Sequence, residues 1–224
     1  MNDFTKAELS QDPAMKTLPK GTFNKNWFMN RAYLLRSLAL DHAGKPLTYV
    51  EIGVFEGSSS CWMCDNVLTH PDSRGFGIDP WEPCGKRDVK ETGNIRDRAF
   101  ANLKPWTDKY TIIEKPSLEV LRDGTFEPES IDILYIDGRH QSWGCILDVM
   151  NGWPLVKING LVIFDDYMKC KKTHVYAAVH ATKSVMEVCS KDWVWYGRQA
   201  ACIKTGPTKE EMFRETVSGI RAKS

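Results

Sequence analysis

The stretch LTYVEIGVFEGSSSCWMCDNVL, residues 47–68, decides the fold. Its first eight residues are a short apolar run rich in β-branched and aromatic side chains, the composition of a strand. Gly53 then lets a ligand approach the backbone, and Gly57 permits a tight turn into the next element. Ser58, Ser59 and Ser60 open a helix expected over 58–69, and exposed N–H groups and hydroxyls at such a start can hold a carboxylate. The spacing is ExGxxxG from Glu51, not the GxGxxG of dinucleotide folds, which argues against a nucleotide-binding reductase.

The same grammar repeats downstream. GFGID (75–79), YTIIEK (110–115), DILYID (132–137) and GLVIFDD (160–166) each read as a strand ended by a polar residue. Helical stretches lie between them at 94–102, 118–121 and 144–156. Short strands alternating with helices predict an α/β fold: a doubly wound, mostly parallel sheet with helices on both faces. Upstream, Phe28, Ala32, Leu34, Leu35, Leu38 and Leu40 recur at helical spacing, and Gly44-Lys45-Pro46 stops that helix. At the far end VHATKSVMEVCS (179–190) reads as a helix and WVWYGRQAACIKT (193–205) as a last, antiparallel strand. Residues 1–25 read as a flexible arm, 26–206 as one domain and 207–224 as a charged tail with a short helix.

Composition narrows the class. With 30 Lys and Arg against 29 Asp and Glu, the net charge is +1, which argues against a nucleic-acid partner held by electrostatics. No run of 18 apolar residues exists, so no membrane-spanning helix is expected. The N-terminus lacks the basic-then-apolar order of a signal peptide, and a cytoplasmic protein is expected. Seven cysteines, odd in number and irregularly spaced, fit that compartment. Cys61 and Cys64 form a CxxC with no second pair to complete a zinc site; with Trp62-Met63 between them they are expected to be buried helix thiols, the alternative being a redox pair at a solvent-facing helix start.

Ligands of open α/β sheets bind beyond the carboxyl ends of the strands. Here those ends carry Glu51, Asp79, Asp137, Asp165 and Asp166. Each alone reads as a helix cap or turn residue; as a set at one edge they read as a ligand site. Asp79, closing the second strand, is placed to accept both hydroxyls of a ribose.

The chain from about residue 46 to 204 resembles the class I S-adenosylmethionine-dependent methyltransferases, whose sheet is Rossmann-like. VEIGVFEGSSS is similar to their first motif, GIDPW to the ribose-binding motif, and IIEKPSLEVL to the segment passing the adenine. ILYIDGRHQSWGCILDV with GLVIFDDY resembles the branch that includes small-molecule O-methyltransferases of sugar and antibiotic tailoring; catechol O-methyltransferases are more distant. The resemblance implies S-adenosylmethionine as cofactor and Mg²⁺ or another divalent cation beside it. It places Glu51, Gly53, Phe55, Gly57 and Ser59 on the methionine side, Asp79 on the ribose, Trp81 and Ser117 at the adenine, and Asp137 close by. Asp137, Asp165 and Asp166 are implied as metal ligands, and three carboxylates suit Mg²⁺ better than zinc. His140, three residues past Asp137, is the expected general base. Its alternative is a loop histidine bonded to backbone. His42, His70, His174 and His180 read as surface residues.

The expected reaction is O-methylation of a small hydroxylated acceptor such as a sugar, polyketide or phenol. Residues 81–100, 167–173 and the Trp27 helix are expected to form a lid over it. Homo-oligomerisation is compatible with the sequence. The rivals are a metal-independent methyltransferase of another acceptor and a non-catalytic cofactor-binding module. Three departures from the branch pattern bear on acceptor and adenine contacts: Asn159-Gly160 replaces Gly-Gly, Ser142 an aromatic residue, and Lys115-Pro116 a common Gly-Asp.

Overall fold

The computed structural model describes residues 2–3, 13–25, 27–82, 89–167, 174–186 and 189–206. In chain order the elements are β1 (Asn2–Asp3), α1 (Trp27–Arg31), α2 (Tyr33–Leu40), β2 (Thr48–Ile52), α3 (Ser58–Asn66), β3 (Arg74–Ile78), α4 (Val89–Leu103) and β4 (Tyr110–Ile113). There follow α5 (Ser117–Val120), β5 (Ile131–Ile136), α6 (Ser142–Gly152), β6 (Val156–Phe164), α7 (His174–Met186), β7 (Ser190–Tyr196) and β8 (Gln199–Lys204).

The strands form one sheet in the order β1-β7-β8-β6-β5-β2-β3-β4. The pairs from β6 to β4 are parallel, while β8 runs antiparallel to both β6 and β7. From β2 the chain winds outward through β3 to β4, then crosses back to place β5 on the other side of β2. The strand order therefore reverses between β2 and β5, where such sheets open a crevice. Period-two alternation divides the strand side chains between two cores. Tyr49, Ile133, Tyr135, Leu161 and Ile163 face α1–α4, with Leu35, Trp62, Met63 and Ala99 among their neighbours. Val50, Ile52, Leu134, Ile136, Val162 and Phe164 face α5–α7, with Val120, Val149 and Ala178. Burial on both faces explains why these strands read as continuous apolar runs. Among the described residues no helix is long and apolar enough to cross a membrane.

Several local expectations change. The single helix expected from Trp27 to Ala43 is two, broken at Ala32. The break leaves the first N–H groups of α2 open, and the Gln199 side chain accepts those of Leu34 (2.8 Å) and Leu35 (3.2 Å). The last strand is a hairpin, because Gly197 adopts φ +60° and turns the chain back through Arg198. The described part of the arm expected to be flexible is docked: Met15 is buried, and the N–H groups of Thr22 and Asn24 bond the Asn102 and Glu56 side chains. The β6 strand starts earlier than expected, at Val156, and shifts register beside Ile131–Ile133. Asn159 there adopts φ +65°, a conformation asparagine tolerates better than most residues, which explains how it replaces glycine. Cys61 and Cys64 are buried, as expected of helix thiols, and burial pushes the Cys61 thiol up to about 12. The lid segments 83–88 and 168–173 and the tail 207–224 lie outside the described residues.

Two features hold the β2–α3 turn in place. Gly53 has φ +93°, and a Cβ there would stand 2.2 Å from the carbonyl oxygen of Asp137. The turn after β2 thus lies directly against the end of β5. Glu51 is fully buried and ties β2 to α3 and β4: it accepts hydrogen bonds from Ser59, from Ser60 at 2.5 Å and from Tyr110 at 3.1 Å. Burial pushes its carboxyl up to about 7, against the downward pull of the serine hydroxyls.

Gly53→Ala adds a backbone clash to a left-handed strain, and should destabilise the fold by about 2–4 kcal/mol in urea unfolding. Glu51 gives a signed pH effect. A carboxyl ionising at about 7 in the fold and at 4.5 in the open chain favours folding when protonated. That contribution is complete below about pH 4.5 and disappears as pH rises through 7. Relative to Glu51→Gln, wild-type stability should fall by about 3 kcal/mol between pH 4.5 and 8.

Candidate active site

At the β2/β5 reversal lies a cleft of about 680 Å³, walled by the β2–α3 turn, the ends of β3, β5 and β6, and α1. On its floor are Gly53, Val54 and Phe55, with Ser58 and Ser59 at the start of α3. Gly57 precedes that helix at φ +81°, a conformation that suits its missing Cβ. The Ser58 hydroxyl is buried without a hydrogen-bond partner among the described residues. Glu51, expected to line the cleft, lies beneath it with its carboxylate in the core. Its bonds to Ser59 and Ser60 set the start of α3 rather than meet a ligand.

On one side stands Asp79. Its Oδ2 accepts the N–H groups of Val54 and Phe55, each at 3.0 Å, and its Oδ1 that of Trp81 at 2.8 Å. A carboxylate has about four lone-pair sites, so these bonds aim the group and leave it able to accept from a ligand. Trp81 donates its indole N–H to the Phe55 carbonyl at 3.0 Å and lines the cleft. Ser117 lines it too, and its hydroxyl donates to the buried Asp148 at 2.6 Å. Burial pushes the Asp148 carboxyl up to about 6, against the pull of Ser117 and the Arg139 charge. At the mouth the Trp27 and Phe55 rings stack at 5.1 Å, and the Arg31 guanidinium lies 5.5 Å from the Trp27 ring.

On the other side the acid pair divides. Asp165 accepts from Tyr135, from the Gln199 amide at 2.8 Å and from the Asp166 N–H at 2.5 Å. Burial raises its carboxyl above the usual range. The backbone turns at Asp166, φ +53°, and sends that carboxylate elsewhere. Its Oδ2 lies 3.4 Å from Nδ1 of His140 and its Oδ1 lies 3.6 Å from Nη1 of Arg198. The metal-capable atoms that meet are those of Asp137, His140 and Asp166, all within 4.8 Å of one another. Of the three carboxylates expected as ligands, Asp137 and Asp166 fall in this group, while Asp165, which also lines the cleft, is bonded by Tyr135 and Gln199. Two carboxylates and one imidazole nitrogen fit a divalent cation. The His140 ring is exposed at the cleft beside Asp166.

Arg198, Gln199 and Tyr135 went unforeseen. Reading 193–205 as one strand hid the turn, for which Gly197 was the available signal. His42 and His70 are half-buried and His180 is exposed, its Nε2 2.8 Å from the Tyr167 hydroxyl. The side chain of His174 lies outside the described set.

Comparison with known proteins follows this geometry. A family model described as a methyltransferase domain matches residues 50–167, from β2 to the residue after the acid pair. The uncharacterized protein R132 of Acanthamoeba polyphaga mimivirus is 30% identical over 154 residues, 68% of this chain and 65% of the viral protein. Cofactor-bound Rv0187 from MTB superposes with a TM-score of 0.59 at 15% identity, covering 87% of each chain. The MycE methyltransferase from the mycinamycin biosynthetic pathway, in complex with Mg and SAH, gives 0.53 at 16% identity, covering 82% of this chain and 51% of that one. The matched stretch contains the turn, Asp79 and the Asp137–His140–Asp166 group, and the chain belongs to this methyltransferase-domain family, with the Rossmann-like fold of class I S-adenosylmethionine-dependent methyltransferases.

Proposed function

We propose that the protein transfers a methyl group from S-adenosylmethionine to a hydroxyl oxygen of a small molecule. The observation that carries this reading is the juxtaposition in one cleft of a helix-opening turn, the backbone-aimed Asp79 and the Asp137–His140–Asp166 group. The sulfonium cofactor supplies the reactive methyl group when bound. The first N–H groups of α3, with Ser58 and Ser59, suit its carboxylate, Asp79 its ribose hydroxyls, and Trp81 and Ser117 its adenine. Gly53 brings the backbone close enough to line the methionine side.

The acceptor must lose a proton as its oxygen is methylated. His140 is the group to take it, because its exposed imidazole lines the cleft with Nδ1 oriented toward Asp166. In one version Asp137, His140 and Asp166 would hold a divalent cation, His140 being then a ligand and not the base, and the ion would supply acidification of a coordinated hydroxyl. MycE, whose complex contains Mg and SAH, supports that version. The His140–Asp166 contact supports a second, in which the pair acts as base and orienter without metal.

Asp79→Asn removes one negatively charged acceptor and should weaken S-adenosylhomocysteine binding by about 1–3 kcal/mol in calorimetry. Wild type that binds no S-adenosylhomocysteine would overturn the reading. With a working acceptor, His140→Ala should lower turnover by about 10²–10³ and remove the acidic limb of the pH–rate profile, with S-adenosylhomocysteine affinity kept. Excess chelator abolishes turnover, restored by Mg²⁺, if the cation is required; unchanged turnover selects the metal-free pair.

A further inference from the structure

The β7–β8 turn sends two adjacent side chains to the acid pair, and they are satisfied to different degrees. Gln199 is bonded at both ends: its oxygen accepts from Leu34 and Leu35, and its amide donates to Asp165. Arg198 is not. Its Nη1 is buried and has no hydrogen-bond partner among the described residues, while Oδ1 of Asp166 stands at 3.6 Å, beyond bonding distance but well inside ion-pair range. A guanidinium keeps its charge in any protein environment, so this contact is a standing positive charge beside Asp166. The other carboxylate oxygen of Asp166 faces His140, within the group of ligand atoms that also includes Asp137.

We propose that Arg198 is the built-in counter-cation of Asp166 and sets how weakly the Asp137–His140–Asp166 group holds a divalent ion. The inference rests on the reading of those three residues as a cation site. An ion held by this group would compete with the guanidinium for Asp166, and like charges close together near a protein surface alter affinity by about a decade or more. Gln199, bonded into α2 and Asp165, fixes the turn from which Arg198 reaches. Arg198 is thus a positioning residue acting through Asp166, and it keeps that carboxylate charge-balanced when no ion is present.

The test is calorimetric titration of Mn²⁺ into wild type, Arg198→Gln and Arg198→Lys. Melting temperature and S-adenosylhomocysteine affinity serve as controls for folding. Arg198→Gln should bind Mn²⁺ about tenfold more tightly than wild type, and Arg198→Lys, which keeps the charge, should stay near wild type. Mn²⁺ binding seen in Arg198→Gln and too weak to detect in wild type supports the proposal as well. Equal or weaker binding by a folded Arg198→Gln overturns it and leaves the cation site standing. Binding by none of the three overturns both. Asp166→Asn should abolish the heat of binding, and Mn²⁺ affinity that survives that change places the ion elsewhere and overturns the proposal.

Discussion

The backbone of Gly53 runs against the carbonyl of Asp137 with no room for a single carbon between them. This contact fixes the distance between the two strands at which the sheet reverses direction. From one strand comes the turn that opens α3; from the other come Asp137 and the loop to His140. Because Asp79 receives the N–H groups of Val54 and Phe55, the same contact also sets the third strand end. The cleft is the gap left by three strand ends located by backbone contact between Gly53 and Asp137 and by the Asp79 carboxylate.

Around that cleft, two buried carboxylates each collect several hydrogen bonds. Glu51 gathers two serines and a tyrosine from α3 and β4, and Asp165 gathers Tyr135, Gln199 and its own neighbour's N–H. Both carboxyls are pushed upward by burial. Glu51 belongs to the scaffold, whereas Asp165 lines the cleft together with Asp79, Asp137 and Asp166.

The strands and their order of burial were legible because each is a run of alternating side chains that must fill two cores, and such runs are visible in sequence. The clustering of carboxylates at one edge was legible for the same reason, since strand ends can be found by where the apolar run stops. The division of labour between Asp165 and Asp166 was not. The two residues are identical and adjacent, and only the left-handed backbone at Asp166 turns one carboxylate toward Tyr135 and Gln199 and the other toward His140 and Arg198. Arg198 and Gln199 were hidden by the apolar residues on either side of them, which continue a strand pattern straight through Gly197. The break at Ala32 was invisible because what replaces the missing helix bonds is Gln199, which is remote in sequence.

The pairing at the heart of the sheet joins residues far apart in the chain: Tyr49 lies beside Ile133, 84 positions later. During synthesis at roughly 5–20 residues per second, β2 leaves the ribosome some 4–17 seconds before its central partner exists. For that interval Val50 and Ile52 flank an unpaired strand edge, the kind of surface that recruits other chains. The cleft between β2 and β5 therefore cannot begin to form until the chain has been made through residue 136.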